Sequence, residues 1–306
     1  IVSALIAFIT LSPVIFIVFS GFKAEVEIWS HLKQYVLPEL LKNTALLVFG
    51  VISTTAVIGI SLAWLTSFYD FFGRRIFDKI LLLPLAIPAY VMAFIYTGLL
   101  GFSGPVQTFL RAHLPFFAPY FPEIRSAGGV ILVISLSIFP YVYLMSSSGF
   151  RSMGRSVVEA SQSLCAGKFY TLFHVTIPMA RPWIFGGLIL VFMETLADFG
   201  AVSVFNYDTF TTGVYKAWYG FFSINAASQL ASILVVIVLF VFLMESYFRK
   251  KQQFFTKGNP MPIQRKKLTW KQSSIAFLFC AVTFCMAFII PVCQLLVWTV
   301  ESFKIE

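Results

Sequence analysis

Six stretches of this chain contain no charged residue, and each is long enough to cross a lipid bilayer. A helix needs about 20 predominantly apolar residues to span the hydrocarbon layer. A seventh apolar run, 183–205, contains only Glu194 and Asp198 as charges. The chain is therefore predicted to be an all-α integral membrane protein of about seven spans. The charge-free stretches are 1–22, 43–69, 80–110, 126–150, 217–244 and 272–300.

Composition excludes an ordinary soluble domain and a membrane barrel. Charged residues make up only 11% of the 306 residues, whereas soluble domains carry about 25%. The alternating pattern of barrel strands is absent. Helices remain because backbone polar groups in lipid must be satisfied within the spanning segment.

The distribution of lysine and arginine predicts the orientation. Fifteen of the 22 basic residues fall in the loops 68–79, 149–182 and 248–272, which lie on one side of a seven-span chain. Basic loops stay in the cytoplasm, so the N-terminus is expected inside. The net charge of +9 then reflects topology and anionic lipid, with no reason to invoke nucleic acid.

A faint repeat predicts how the chain is divided. The run from Pro13 and the run from Pro291 are both apolar and both turn polar at a Phe-Lys pair, with an offset of about 280 residues. Such an offset is typical of two tandem membrane halves. We expect a first half of about six transmembrane helices at 1–247, a basic cytoplasmic linker at 248–273, and the first helix of a truncated second half at 274–306.

Two residue patterns are interpreted structurally. Thr55, Gly59 and Ala63 recur every four residues, a stripe of small residues that favours close helix packing. The histidines and cysteines show no metal-ligand spacing, so no metal site and no cofactor bound by this chain are expected.

The polar loop 149–182 predicts two short helices on the cytoplasmic face. Ser156 and Glu159 have the spacing of a capping box. Gly167 permits a turn, a second helix is expected from residue 168 to about 176, and Pro178 is expected to stop it. Such a bent pair is either a rigid element that transmits a push or an interfacial pair resting on lipid headgroups.

This loop resembles the EAA loop of the permease subunits of bacterial ABC importers. That motif runs Glu-Ala-Ala, then Gly at the sixth position after Glu, then an aliphatic-x-Leu-Pro ending. The chain departs from it where Ser161 replaces the second Ala, and where Cys165 stands at the Gly position with Gly167 two residues later. The resemblance implies that the loop couples to an ATPase through Ser156, Glu159, Ala160, Ser161, Cys165, Gly167, Val175, Ile177 and Pro178.

Three further blocks are similar to ferric-iron ABC importer permeases. They lie at 81–108, 121–145 and 194–218. The resemblance implies a type I importer helical bundle with two fused halves in the bacterial inner membrane. It also implies two partners: a periplasmic substrate-binding protein, and a cytoplasmic ATPase dimer that binds ATP-Mg. The chain has no phosphate-binding loop of its own, so it is expected to be a transport subunit and not an enzyme.

Glu194 and Asp198 are four residues apart and would share one helix face. Counting from Trp183 places Glu194 near the middle of the membrane and Asp198 nearer the outside. Ionisable groups at such depth face a cavity or the interior of the bundle. The pair is therefore either part of a translocation pathway or an interior polar pair bonded to neighbouring helices.

Three alternatives to ferric iron transport remain open. Related permeases with the same loop carry other ions or small polar solutes, such as sulfate, polyamine or thiamine. A proton-coupled secondary carrier would use Glu194 and Asp198 as its relay. A non-transporting scaffold would use the loop to recruit a soluble protein.

Overall fold

The computed structural model is helical and describes residues 2–21, 29–30, 32–116, 118–153, 170–250 and 265–303. Short π-helical turns at Leu32–Val36, Thr171–Thr176 and Cys285–Ile289 lead into α2, α7 and α12. The helices are α1 Val2–Gly21, α2 Leu37–Phe68, α3 Arg74–Ile80, α4 Ala89–Leu100, α5 Pro105–His113, α6 Ala127–Ser152, α7 Ile177–Ala197, α8 Gly200–Val204, α9 Phe210–Tyr219, α10 Ile224–Lys250, α11 Trp270–Phe284 and α12 Ile290–Phe303.

Six helical stretches in the described ranges are long and apolar enough to span a membrane. The first predicted span, 1–22, corresponds to α1, in which Phe8–Ser20 is an apolar helix shorter than these six. The prediction of a multi-pass helical membrane protein is therefore confirmed. The six stretches are Leu32–Phe68, Ala89–His113, Ala127–Ser152, Thr171–Ala197, Ile224–Tyr247 and Trp270–Phe303.

Three predicted spans differ in detail from the observed helices. Residues 80–88 are not α-helical after Ile80, because Pro84 and Pro88 break the run, and regular helix resumes only at Ala89. The run 183–205 is interrupted after Ala197. The run predicted from residue 217 begins as a helix only at Ile224, because Phe210–Tyr219 forms a separate short helix.

Helix α6 is the centre of the bundle. Of the residues in its most apolar 18-residue segment, 67% are buried, against 28% or less in the other five spanning stretches. It packs between α2 and α7, and a glycine on each of those two helices allows close contact with α6. A Cβ on Gly59 of α2 would lie 2.8 Å from the Val142 Cβ, and one on Gly187 of α7 would lie 3.0 Å from the Val142 Cα.

The predicted small-residue stripe on α2 is confirmed as a packing face. Thr55 and Ala63 are fully buried, and Gly59 between them lies against α6. The Thr55 hydroxyl donates to the Val51 carbonyl, 2.7 Å away, within its own helix. No polar group of this stripe is therefore left for a ligand.

One end of the bundle carries the basic loops and is here called the basic end. Tyr69–Asp70 (β1) pairs in parallel with Lys266–Lys267 (β2) at this end. The Phe72 backbone N–H also donates to the Ser273 hydroxyl, at 3.1 Å. These contacts attach the start of α11 to the turn between α2 and α3.

Aromatic packing strengthens the same attachment. Phe277 of α11 lies between Phe72 and Phe77, with ring centroids 5.5 and 5.4 Å away. Its ring passes over Gly73, where an added Cβ would lie 3.3 Å from it. Gly73 has a φ of 77°, a conformation that a residue with a side chain adopts only with strain. We call the paired strands and these rings the clasp.

Candidate functional site

The predicted ATPase-coupling loop is described only in part. Ser156, Glu159, Ala160, Ser161, Cys165 and Gly167 lie outside the described residues. Val175, Ile177 and Pro178 lie within them, where the π-helical turn Thr171–Thr176 joins α7. The capping box and the bend near Gly167 therefore stay predictions.

Pro178 does not stop the second helix of this loop, contrary to the prediction. The backbone remains helical from Thr171 through Pro178 to Ala197. The Ile177 N–H donates to the Leu172 carbonyl, five residues back, and such a π-helical turn absorbs the irregularity that a proline brings. Pro182 likewise lies inside α7. The end of the loop and the membrane span are therefore one continuous helix.

The side chains of this turn point in two directions. Leu172 is 8% exposed and Thr176 is buried, whereas Phe173 is 60% exposed. Leu172 and Thr176 therefore face the bundle, whereas Phe173 faces away from it. Tyr170 and His174 stack outside the bundle with ring centroids 4.3 Å apart. We call Tyr170, Phe173 and His174 the aromatic face.

The base of α7 is packed tightly on α6. A Cβ on Gly149 would lie 2.8 Å from the Cβ of Trp183. Such contact leaves little room for the two helices to slide independently, because packed interiors transmit displacement. A force applied at the aromatic face would therefore reach both helices.

A polar network at the basic end was not anticipated from the sequence. The Asp78 carboxylate accepts hydrogen bonds from the Tyr143 hydroxyl, at 3.1 Å, and from the Arg151 guanidinium. The Tyr143 hydroxyl also lies 3.3 Å from the Thr66 hydroxyl. These residues come from three helices, and bonded partners are up to 77 positions apart, so no local spacing signals them.

Further arginines lie close to the same network. Arg74 is 9% exposed and its Nε lies 3.3 Å from Asp70. Burial lowers the pKa of the Arg265 guanidinium, and the charges of Arg74 and Arg151 lower it further, while Asp78 and Asp70 oppose that shift. The carboxylates therefore balance a cluster of cations where the segment before α11 meets the bundle.

Glu194 lies within α7, whereas Asp198 is the residue that follows its last turn. Helix α7 ends at Ala197, and Asp198 follows in an extended conformation with ψ near 123°. The Asp198 carboxylate accepts from the Val202 N–H at 3.1 Å, and its carbonyl accepts from the Thr211 hydroxyl at 2.7 Å. Asp198 therefore satisfies the start of α8 and ties α9 to the end of α7.

Glu194 is more accessible. It is an exposed residue of α7, close enough to Tyr141 and Asp198 to act on both electrostatically. Within the described ranges no group of three or more His, Cys, Asp or Glu side chains could hold a metal ion. Of these two acids, Glu194 is the exposed one.

A protein-family model matches residues 55–252. Its description is "Binding-protein-dependent transport system inner membrane component". The matched region runs from α2 to just past α10 and includes the coupling loop, α6 and both acidic residues. The match therefore covers the larger part of the chain.

Curated relatives are transport permeases. The chain is 31% identical over 88% of its length to an Fe(3+)-transport system permease protein, FbpB 2, of Haemophilus influenzae, and spans 49% of that protein. It is 25% identical over 64% of its length to the molybdenum transport permease ModB of the same organism, covering 86% of it. It is 28% identical over 65% of its length to the Escherichia coli sulfate permease CysW, covering 66% of it.

A solved structure shares the fold. The chain matches the inward-facing MetNI methionine ABC transporter with a TM-score of 0.52 and 13% identity, over 74% of this chain and 98% of that one. At this identity the likeness concerns the helical arrangement alone. The prediction of a type I importer bundle is thereby confirmed.

Proposed function

Because the chain belongs to the family of inner membrane components of binding-protein-dependent transport systems, we propose that it is the permease subunit of an ATP-driven importer. The match over residues 55–252 carries this proposal. The bundle agrees with it, since two of its spans, α2 and α7, pack closely on the central helix α6. The chain spans about half the length of its ferric relative, and the proposal includes a second permease half that would share the pathway.

The proposed substrate is ferric iron. The iron permease of Haemophilus influenzae is similar over 88% of the chain, whereas the molybdenum and sulfate permeases are similar over about two thirds of it. The exposed Glu194 carboxylate suits a passing cation. The lack of a metal cage in the described ranges also suits transport, because tight binding would hold the metal in the pathway.

Two partners complete the proposed importer. A periplasmic binding protein delivers the iron, and a cytoplasmic ATPase dimer supplies the energy. The basic end faces the cytoplasm, as the positive-inside rule requires, and the N-terminus is then inside. The loop around Glu159 docks on the ATPase, and the continuous helix from Thr171 to Ala197 carries the movement into the membrane.

Iron uptake tests the substrate. Cells that carry the complete gene should accumulate radiolabelled ferric iron, and a deletion strain should not. Molybdate and sulfate uptake, measured in the same strains, should be unaffected. Loss of molybdate or sulfate uptake with normal iron uptake would instead support the second candidate, an oxyanion permease, which the ModB and CysW similarities favour. Uptake that stops when the proton gradient is collapsed but persists without ATP would support a secondary carrier.

Coupling is tested by variants of the loop. Glu159→Ala and Phe173→Ala should reduce co-purification of the ATPase and transport-coupled ATP hydrolysis, because Glu159 occupies the motif position and Phe173 is 60% exposed on the aromatic face. Glu301→Ala and Phe303→Ala are matched controls, since both residues are exposed at the other end of the last span. A normal complex with normal coupled hydrolysis in both loop variants would refute the docking role.

A further inference from the structure

Arg265, just before the clasp, has a buried nitrogen that the proposed transport function does not account for. Its Nε atom is buried and has no hydrogen-bond partner among the described residues. An unpaired buried N–H is costly, and such groups in folded proteins nearly always have a partner. The unpaired Nε of Arg265 therefore indicates that an acceptor binds here.

Strand pairing places Arg265 beside the polar network of the basic end. The next residue, Lys266, pairs with Tyr69 at the end of α2. The charges of Arg74, on α3, and of Arg151, at the end of α6, both act on the Arg265 guanidinium. Three arginines from separate segments of the chain therefore lie close together.

This cluster carries more positive than negative charge. The Arg74 Nε lies 3.3 Å from the Asp70 carboxylate, and Arg151 pairs with Asp78 through Nη2. Two carboxylates thus pair with two guanidinium groups, and Arg265 is the third. With the described residues, Arg74 and Arg151 each use one nitrogen, whereas a guanidinium has five N–H donors. The cluster therefore has both the charge and the donors for a further anion.

The position of Arg265 favours a phosphate over a carboxylate of the chain. Residues 251–264, which precede it, contain no Asp or Glu. The last spanning stretch begins at Trp270, so Arg265 lies just outside the membrane, at the level of lipid headgroups. Basic pockets between spans on the cytoplasmic side suit phosphate headgroups, and the guanidinium fork matches phosphate geometry.

We propose that Arg265, with Arg74 and Arg151 beside it, binds a phosphate group at the basic end of the bundle. An anionic phospholipid of the adjacent leaflet or a free phosphate ion would supply this group. Its oxygens accept from the Arg265 Nε, and its charge offsets the repulsion among the three guanidinium groups. The phosphate thereby attaches the segment before α11 to α3 and α6. The site is independent of the identity of the transported substrate.

Thermal unfolding of the complete purified permease tests this site. Delipidated protein in micelles is measured in chloride buffer, in phosphate buffer of equal ionic strength, and in chloride buffer with increasing phosphatidylglycerol. We expect phosphatidylglycerol, phosphate or both to raise the unfolding temperature of the wild type. A response to phosphatidylglycerol alone identifies the lipid headgroup as the source, and a response to phosphate buffer shows that the free ion suffices. Arg265→Gln should weaken the response about fivefold in concentration, as expected for one basic contact.

Two comparisons separate binding from a structural role of Arg265. In chloride buffer without lipid, Arg265→Gln should unfold at the wild-type temperature or above it, because it removes an unpaired charge that its neighbours repel. A lower unfolding temperature there would show that Arg265 has a partner within the chain and would overturn the proposal. Arg75→Gln removes an exposed arginine of α3 outside the group of charges that act on Arg265, and it should respond as the wild type does. Equal responses of the wild type and Arg265→Gln, or a wild type that responds to neither phosphate source, would also overturn it.

Discussion

At the scale of single residues, the two membrane acids have different surroundings. The Asp198 carboxylate accepts a hydrogen bond from the Val202 N–H, 3.1 Å away. Its role in capping α8 resembles the capping of a helix N-terminus by a carboxylate. Glu194 is exposed on α7 and stays the stronger candidate for contact with a moving cation.

Conservative substitutions separate the two roles. Glu194→Gln should slow iron uptake without changing the thermal stability of the permease, because an exposed carboxylate is lost without a structural contact. Asp198→Asn should lower stability by about 1 kcal/mol, since the amide is a weaker acceptor for the start of α8. Uptake rates and thermal unfolding in detergent measure these effects. Unchanged uptake in both variants would exclude the pathway role.

At the scale of helices, glycine contacts determine how closely α2 and α7 approach α6. The Cβ that a substitution would add at Gly59 meets both the Val142 Cβ at 2.8 Å and the Tyr143 backbone nitrogen at 3.0 Å. Backbone atoms cannot rotate away as a side-chain end can. The close approach of α2 to α6 therefore depends on the absence of a side chain at position 59.

Two alanine substitutions isolate this packing effect. Gly59→Ala should be less stable than Gly186→Ala by about 1–3 kcal/mol, the usual cost of overpacking. Gly186 is the matched control because it is also inside a helix, and its added Cβ would meet only the terminal carbon of Met145, at 3.0 Å. Denaturant titration in micelles gives both values. Equal stability of the two variants would show that α2 can shift without cost.

At the scale of the whole molecule, the clasp joins the last spanning helices to the rest of the bundle. The Leu268 N–H donates to the Asp70 carbonyl at 3.2 Å, beside the β1–β2 pair. Farther along, the Tyr96 hydroxyl donates to the Met286 carbonyl. The expected second half would therefore begin with helices that are attached to the first half at two levels.

Removing one ring should loosen only part of this attachment. Phe277→Ala should lower stability by about 2 kcal/mol, in the range for an apolar side chain removed from contact. It should also speed hydrogen exchange in α11 more than in α4, because local opening follows the loss of apolar contacts. Phe279→Ala, on the same helix but outside the clasp, is the control. Equal exchange in the two variants would show that the strand pair alone holds α11.

The membrane class, most of the spans and the small-residue face of α2 are predictable from the amino-acid sequence. These features depend on local composition, because a segment in lipid must be apolar and must satisfy its own backbone. The resemblance in the coupling loop and in the three blocks pointed to the permease family. The sequence pattern did not predict the break after Ala197 or the continuous helix through Pro178. The first depends on hydrogen bonds to other helices and the second on a π-helical turn, and apolar periodicity reveals neither.

Which polar groups contact one another follows from the packing of the helices. Asp78, Tyr143 and Arg151 come together because α2, α3 and α6 pack at fixed rotations about their axes. The clasp likewise depends on contacts between segments far apart in the chain. The length of an apolar run determines whether a helix crosses the membrane. Which helices it contacts, and with which face, follows from the packing of the whole bundle.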